Sequence, residues 1–346
     1  MTLSRRSFLG GMGAGIATSV LPGFAAAPAN AATDFRSFTI NSKPLTHFNL
    51  ADASQDQFGP FRFLGGLQLW ARQRQFGGIS GGVVSQDGTH FTTVTDGGYW
   101  IRFNLRQNRL GRPLSVSDGV IAPMLDERGA PLPGSAKSDV EALTLDRSTS
   151  PPRLIASYEG RGGLFAYPAK ERDLPPQATK LQVPEAVHKL GGNKGLEALA
   201  AGLPDTPHAG KLIAIAERGR SLTDHRTGFI LGAGTPASFS VLRDGNFDVT
   251  DAAFLPSGDL LILERLFNLR EGLQMRLRLV PANELQAGAK IKGRMLYTAD
   301  FSHQIDNMEV AAVHARQDNT VILTLMSDDN RSLLQRTLLL RFEVTL

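Results

Sequence analysis

From Gly78 to the C-terminus, short apolar runs alternate with clusters of Gly, Asp, Asn and Pro. No long amphipathic helix pattern is interleaved with them, so the periodicity predicts strands joined by turns. Five segments share one shape: a first apolar strand opening beside an acidic or hydroxyl residue, a turn, then a second strand ending on an acid. Aligned on Ser80, Glu141, Glu197, Asp251 and Glu309, they lie 61, 56, 54 and 58 residues apart. A strand with its turn takes about 8–12 residues, so each interval holds about four strands. Near-constant spacing of all-strand units predicts an all-β fold, a β-propeller of five countable repeats. A β-sandwich with chance internal similarity is the competing reading. The run Thr337–Val344 is expected to share a sheet with an N-terminal strand over Phe61–Trp70 and so close the ring. The stretch from Asp34 to Gln75 could complete a sixth blade.

The acidic positions carry the candidate chemistry. Ser80, Glu141, Glu197, Asp251 and Glu309 open first strands, and Asp96, Glu159, Glu217, Glu264 and Asp328 close second strands. Hairpin strands are antiparallel, so both series fall at one rim of the channel. Nine carboxylates there repel unless cations, basic side chains or shared protons offset them. Lys194, Arg218 and Arg265 stand close in sequence to three of these acids. Hard oxygen ligands mixed with guanidinium groups suit a divalent cation, calcium in preference to magnesium, together with a small anionic ligand. The candidate metal ligands are Glu141, Glu159, Glu197, Glu309 and Asp328. Glu141, Glu197 and Glu309 are the candidate catalytic groups, and Lys194, Arg218 and Arg265 the substrate-binding ones. The competing view has these acids bonding backbone amides to lock strand ends.

Composition narrows the field. The absence of cysteine excludes disulfides, thiolate metal sites and cysteine nucleophiles. The net charge is +4, and the basic residues are dispersed, Arg270, Arg276 and Arg278 reading as a solvated face; a nucleic-acid partner is not expected. The seven histidines lack zinc spacing. Gly78-Ile79-Ser80-Gly81-Gly82 matches G-x-S-x-G, but Ser80 is followed by a second strand where a serine esterase needs a helix. Trp70, Tyr99 and Trp100 could stack on a ligand, though packing roles fit better.

Residues 1–31 read as an export signal. Ser4-Arg5-Arg6-Ser7-Phe8-Leu9 precedes a Gly/Ala-rich apolar stretch to Leu21, then Pro22 and a small-residue cleavage site at Ala29-Asn30-Ala31. The paired arginines indicate the twin-arginine export machinery, a periplasmic or secreted location and no stable membrane span after signal removal.

Seven strings recur in order: Gly77–Gly82 (GGISGG), Ser138–Leu143 (SDVEAL), Ser157–Gly160 (SYEG), Asn193–Ala200 (NKGLEALA), Leu261–Arg265 (LILER), Asp306–Val310 (DNMEV) and Ser327–Asn330 (SDDN). Together they resemble the phytase-like family described by esterase-like activity of phytase, an exported bacterial propeller family, from roughly Phe58 to Leu346. The resemblance implies a phosphoester hydrolase acting outside the cytoplasm. The Arg-His-Gly-x-Arg string of histidine acid phosphatases is absent, as is the Asp-Asp-Pro-Ala signature of calcium-dependent propeller phytases. Where many relatives carry Asp-Pro-Glu-Gly, Asp139-Val140-Glu141-Ala142 keeps both acids. The first reading is metal-assisted phosphoester hydrolysis at the channel mouth. The alternatives are a non-catalytic propeller that binds a ligand or protein there, and a calcium-dependent lactone or carboxylester hydrolase. Replacing both Arg5 and Arg6 by Lys is expected to hold precursor in the cytoplasm, as read by cell fractionation and immunoblotting. Normal accumulation of the double variant outside the cytoplasm would reject the twin-arginine assignment.

Overall fold

Five antiparallel sheets surround one axis in the computed structural model, which describes residues 35–132, 138–159, 163–169, 177–188, 190, 195–217 and 225–346. Blade 1 comprises Ile79–Val84, His90–Thr95, Tyr99–Gln107 and Pro113–Pro123, with Arg36–Ser37 added outside. Blade 2 comprises Val140–Asp146, Arg153–Tyr158, Gly163–Pro168 and Thr179–Lys180. Blade 3 comprises Leu196–Ala201, Lys211–Ala216, Arg226–Gly232 and Ala237–Val241, with Lys290–Ile291 parallel at its edge. Blade 4 comprises Asp248–Phe254, Leu260–Asn268, Gly272–Val280 and Arg294–Ala299. Blade 5 takes Asn307–Ala315, Val321–Asp328 and Thr337–Val344 from the C-terminus and Phe61–Ala71 from the N-terminus.

The protein is therefore a five-bladed propeller, and the expected closure is present: Thr337 to Val344 pair antiparallel with Leu69 back to Phe61. No sixth blade forms among the described residues. The stretch before Gln75 instead supplies the fourth strand of blade 5, its outer strand Ile40–Leu45, and the outer strand of blade 1. Each seam between consecutive blades holds its own apolar cluster, because every blade presents one apolar face to each neighbour. Arg341 adds a polar clamp where blade 5 meets blade 1. Fully buried, it donates to the Gly88 and Gly111 carbonyls, the Gln107 amide oxygen and the Thr324 hydroxyl. Burial lowers its pKa to about 10.

Every inner hairpin contains a β-bulge at the same height. The pairing skips Ser80, Glu141, Glu197, Thr250 and Glu309. An extra residue breaks the alternation of side chains between the two faces of a strand. In blade 2, Val140 and Leu143 pack toward blade 1 and Ala142 toward blade 3, so Glu141 belongs to neither face. The same pattern recurs around Glu197, between Leu196 and Ala198, and around Glu309, between Met308 and Val310.

Blade 4 corrects the sequence alignment by one residue. Its bulge holds Thr250, and Asp251 sits on the face toward blade 5, where its carboxylate accepts the Ala311 amide at 2.7 Å and the Ala252 amide at 2.8 Å. The second strand shifts equally: Arg265, opposite Asp248, takes the slot held elsewhere by Asp96, Glu159, Glu217 and Asp328. Glu264 falls on the face toward blade 3, where the Arg276 Nε approaches it at 2.6 Å and the Arg278 Nε at 3.1 Å. Arg276 and Arg278 are thus buried partners of Glu264 and belong to no solvated face. Asp251→Ala leaves two buried amides without an acceptor and is expected to cost about 1–3 kcal/mol of unfolding free energy. Asp251→Asn, which keeps an acceptor, should cost less; urea denaturation of both variants checks the order.

Candidate metal and anion site at the channel mouth

The inner hairpins of blades 2 and 3 bring four carboxylates together. Asp139, Glu141 and Glu159 each offer an oxygen within 4.8 Å of the other two. Asp139 directly precedes the first strand, Glu141 occupies the bulge, and Glu159 extends the second strand, its amide bonded to the Asp139 carbonyl at 3.0 Å. Gly195, the counterpart of Asp139 in blade 3, makes room for this cluster. A Cβ there would lie 3.2 Å from Glu141 Cγ, 3.6 Å from Glu159 Cβ and 3.8 Å from a Glu197 carboxylate oxygen. Glu197 therefore borders the three acids.

A second group continues around the ring through Arg265. Its guanidinium lies 3.8 Å from Glu217 and 3.1 Å from Glu309, and donates to the Asn307 side-chain oxygen. Glu217 closes the gap to the first group, its amide donating to the Gly195 carbonyl at 3.2 Å. Beyond Glu309 comes Asp328, buried, accepting the Asn330 amide at 2.8 Å. Burial, followed by the nearby charges of Asp96 and Glu309, pushes its pKa up to about 8. Arg331 then reaches back from the loop after Asp328 to grip Asp96 with both terminal nitrogens, at 2.6 and 3.1 Å. Two guanidinium groups are thus interspersed among the carboxylates in the part of the ring from Glu217 to Asp96.

Three polar atoms in this ring are buried without a hydrogen-bond partner: Ser80 Oγ, Thr250 Oγ1 and Asn307 Nδ2. Such groups cost free energy unless a ligand or water satisfies them. Ser80 lies inside the strand Ile79–Val84 and runs into a hairpin, so it lacks the strand-to-helix elbow of a serine esterase. Trp100 is a core residue, whereas Trp70 is exposed.

Of the residues singled out from sequence, Glu141, Glu159 and Glu197 come together, while Arg265, Glu309 and Asp328 form the adjoining group. Lys194, Arg218 and the segment 1–31 lie outside the described residues. Asp139, Asn307 and Arg331 are absent from the sequence-based set. Asp139 had a signal, being an acid two residues before Glu141. Arg331 had none, because it meets Asp96 across 235 residues and the ring closure.

The chain matches the family described as "Phytase-like: Esterase-like activity of phytase" over residues 74–331, three quarters of its length, and belongs to that family. No curated protein matches the sequence. Among solved structures, the chain is similar to the RRP9 WD40 repeats, with TM-score 0.37 and 11% identity over 82% of this chain and 84% of that one. It is also similar to a chain of Chaetomium thermophilum Polycomb Repressive Complex 2 bound to GSK126, with TM-score 0.36 and 12% identity over 77% of this chain. It spans about half, 54%, of that Polycomb chain. The order of strands in the five sheets by itself defines the propeller.

The buried Asp328 gives a pH test. Its folded pKa lies above the unfolded value, so the folded state holds the extra proton between about pH 4 and pH 8. The stabilisation is complete below the unfolded pKa and is lost as pH rises through the folded one. Metal-free protein should therefore lose stability from about pH 4 to about pH 8, and Asp328→Asn should flatten that decline by a few kcal/mol, on the order of the pKa shift. Urea unfolding across this range checks it.

Proposed function

We propose that this protein is an exported phosphoester hydrolase whose chemistry occurs at the mouth of the propeller. Membership of the phytase-like family supports the hydrolase class, and Arg5-Arg6 with the small-residue site at Ala29-Asn30-Ala31 support export. The observation that carries the reading is the close approach of Asp139, Glu141 and Glu159, bordered by Glu197 and connected through Glu217 to Arg265. Three carboxylates within 4.8 Å are a hard-oxygen donor set that fits a divalent cation such as calcium. A cation held there would polarise a phosphoryl oxygen and acidify a bound water.

The chain's own residues supply the rest. Arg265 carries the positive charge opposite the acids, and Asn307 Nδ2 is an unused donor beside it, so the pair suits phosphoryl oxygens. Glu309 fixes the Arg265 guanidinium and acts as a positioning residue. Glu197, outside the tight cluster but next to it, is the group suited to take the proton from an attacking water. Ser80 has no nucleophilic part in this scheme.

Kinetics on a phosphomonoester, a phosphodiester and a short-chain carboxylester separate these roles. Glu197→Gln should lower kcat by about 100-fold or more with KM little changed. Arg265→Lys, which keeps the charge but loses the fork, should chiefly raise KM for phosphorylated substrates. Calcium at about a hundredfold excess over its Kd should stabilise the fold by about 2.7 kcal/mol, and Glu141→Gln should remove that gain. Carboxylester turnover lost in Ser80→Ala, with no phosphoester ever cleaved, would replace this reading by a serine esterase. Ligand binding at the mouth without any turnover would replace it by a binding module.

A further inference from the structure

One step inward from the rim, the five bulge residues form a layer of their own around the axis. In each blade the residue before the bulge packs toward the preceding blade, and the residue after it toward the next. Ile79 joins the apolar cluster shared with blade 5, while a Cβ on Gly81 would fall 2.5 Å from the Leu143 amide nitrogen of blade 2. Ser80, between them, belongs to neither seam. In blade 4, Val249 joins the cluster shared with blade 3, and the Asp251 carboxylate accepts the Ala311 amide of blade 5. Thr250 lies between these two. Ser80 and Thr250 therefore face the axis, as Glu141, Glu197 and Glu309 do.

The layer is closed from the sides because the innermost strands of neighbouring blades pack directly on one another. A Cβ on Gly82 would meet the Val310 side chain of blade 5 at 3.1 Å. Ser157 of blade 2 donates to the Leu196 carbonyl of blade 3 at 2.6 Å. All five bulge residues are buried as a result, Ser80 at 4% exposure and Thr250 at 0%. Neither the Ser80 nor the Thr250 hydroxyl has a hydrogen-bond partner. Glu309 stands between them in the ring, since blade 5 lies between blades 4 and 1. A buried hydroxyl without a partner carries its full desolvation cost, so two of them on one enclosed axis point to a ligand held there.

The five side chains of the layer end in oxygen and offer no nitrogen: two hydroxyls and three carboxylates. A hydroxyl oxygen accepts as well as donates, so both can face a positive charge. Oxygen ligands alone select a hard cation. The fivefold arrangement selects further. Calcium often takes a pentagonal bipyramid, whose equator has five positions, whereas magnesium demands an octahedron. We propose that this layer holds a calcium ion on the propeller axis, distinct from a cation held at the rim by Asp139, Glu141 and Glu159, with Ser80 Oγ and Thr250 Oγ1 among its ligands. Each carboxylate has two oxygens, so Glu141 and Glu197 can face the axis with one and the rim with the other. The ion ties the five innermost strands together and holds the ring closed. That role is independent of phosphoester hydrolysis at the mouth.

Purified protein is stripped of metal with a chelator, and calcium binding is counted by isothermal titration calorimetry alongside thermal melts. The wild type is expected to bind two calcium ions, one at the rim and one on the axis. Thr250→Val keeps the side-chain shape and removes the hydroxyl. It should lose one ion or bind it about tenfold more weakly or worse, and Ser80→Ala should do the same. Thr250→Ser, which keeps the hydroxyl, should retain both ions, and Glu159→Gln should lose only the rim ion. The melts should change sign with calcium. Without it, Thr250→Val should melt at or above the wild-type temperature, because it removes a polar atom that has no partner. With calcium it should melt below the wild type, which alone gains the binding free energy of the axial ion. An equal calcium-induced rise in both proteins overturns the proposal and leaves a buried water in the layer. A single ion that Glu159→Gln removes and Thr250→Val retains also overturns it, and leaves the rim site standing alone. No calcium bound at all overturns both sites. An ion that survives Glu159→Gln and is lost in Thr250→Val upholds the axial site even if no phosphoester is turned over.

Discussion

One extra residue in the inner hairpin of every blade governs the chemistry of the mouth. A regular strand on the channel would hand each side chain to one blade seam or the other, and the seams are built mainly of apolar side chains. The bulge removes Ser80, Glu141, Glu197, Thr250 and Glu309 from that alternation and leaves them to the axis. Beyond the bulge, the strand resumes its apolar alternation, so the seams below lose nothing. Polar chemistry and blade packing are thereby separated along a single strand.

Carboxylates gathered in this way need compensation. Arg265 answers Glu217 and Glu309, Arg331 answers Asp96, and Asp328 keeps its proton because burial and two neighbouring acids disfavour its charge. Removing one partner of such a buried set costs more than the pair contributes, since the remaining charge is left without compensation. The same arrangement that keeps the acids tolerable leaves Asn307 Nδ2, Ser80 Oγ and Thr250 Oγ1 without partners. A mouth fully satisfied from within would have no such atoms to offer.

The fourth blade shows how far pattern reading reaches. Its acids, Asp251 and Glu264, align by type with those of the other repeats, yet each is one residue out of register. A strand reverses its faces with every residue, so a one-residue offset sends Asp251 to the amides of blade 5 and Glu264 to Arg276 and Arg278. The offset also places Arg265 where the other blades carry an acid. Two apparent members of the acidic ring become structural, and the ring gains a cation. Nothing in the composition of the hairpin distinguishes the bulged residue from its neighbour, because the bulge is a property of the pairing of two strands.

The sequence by itself determined the all-β class, the period of the blades, the closing pair of terminal strands and the acidic character of the first and second strand ends. These follow from local patterns, since strand alternation, turn residues and repeat spacing are written in neighbouring positions. Tertiary structure alone decided which acids meet. Asp139, Glu141 and Glu159 converge within one hairpin, but Glu197 borders them from the next blade, across the space that Gly195 leaves open. Arg331 finds Asp96 only once the ring has closed. Contacts between blades depend on the angle and height at which sheets pack, and a linear pattern carries no record of either.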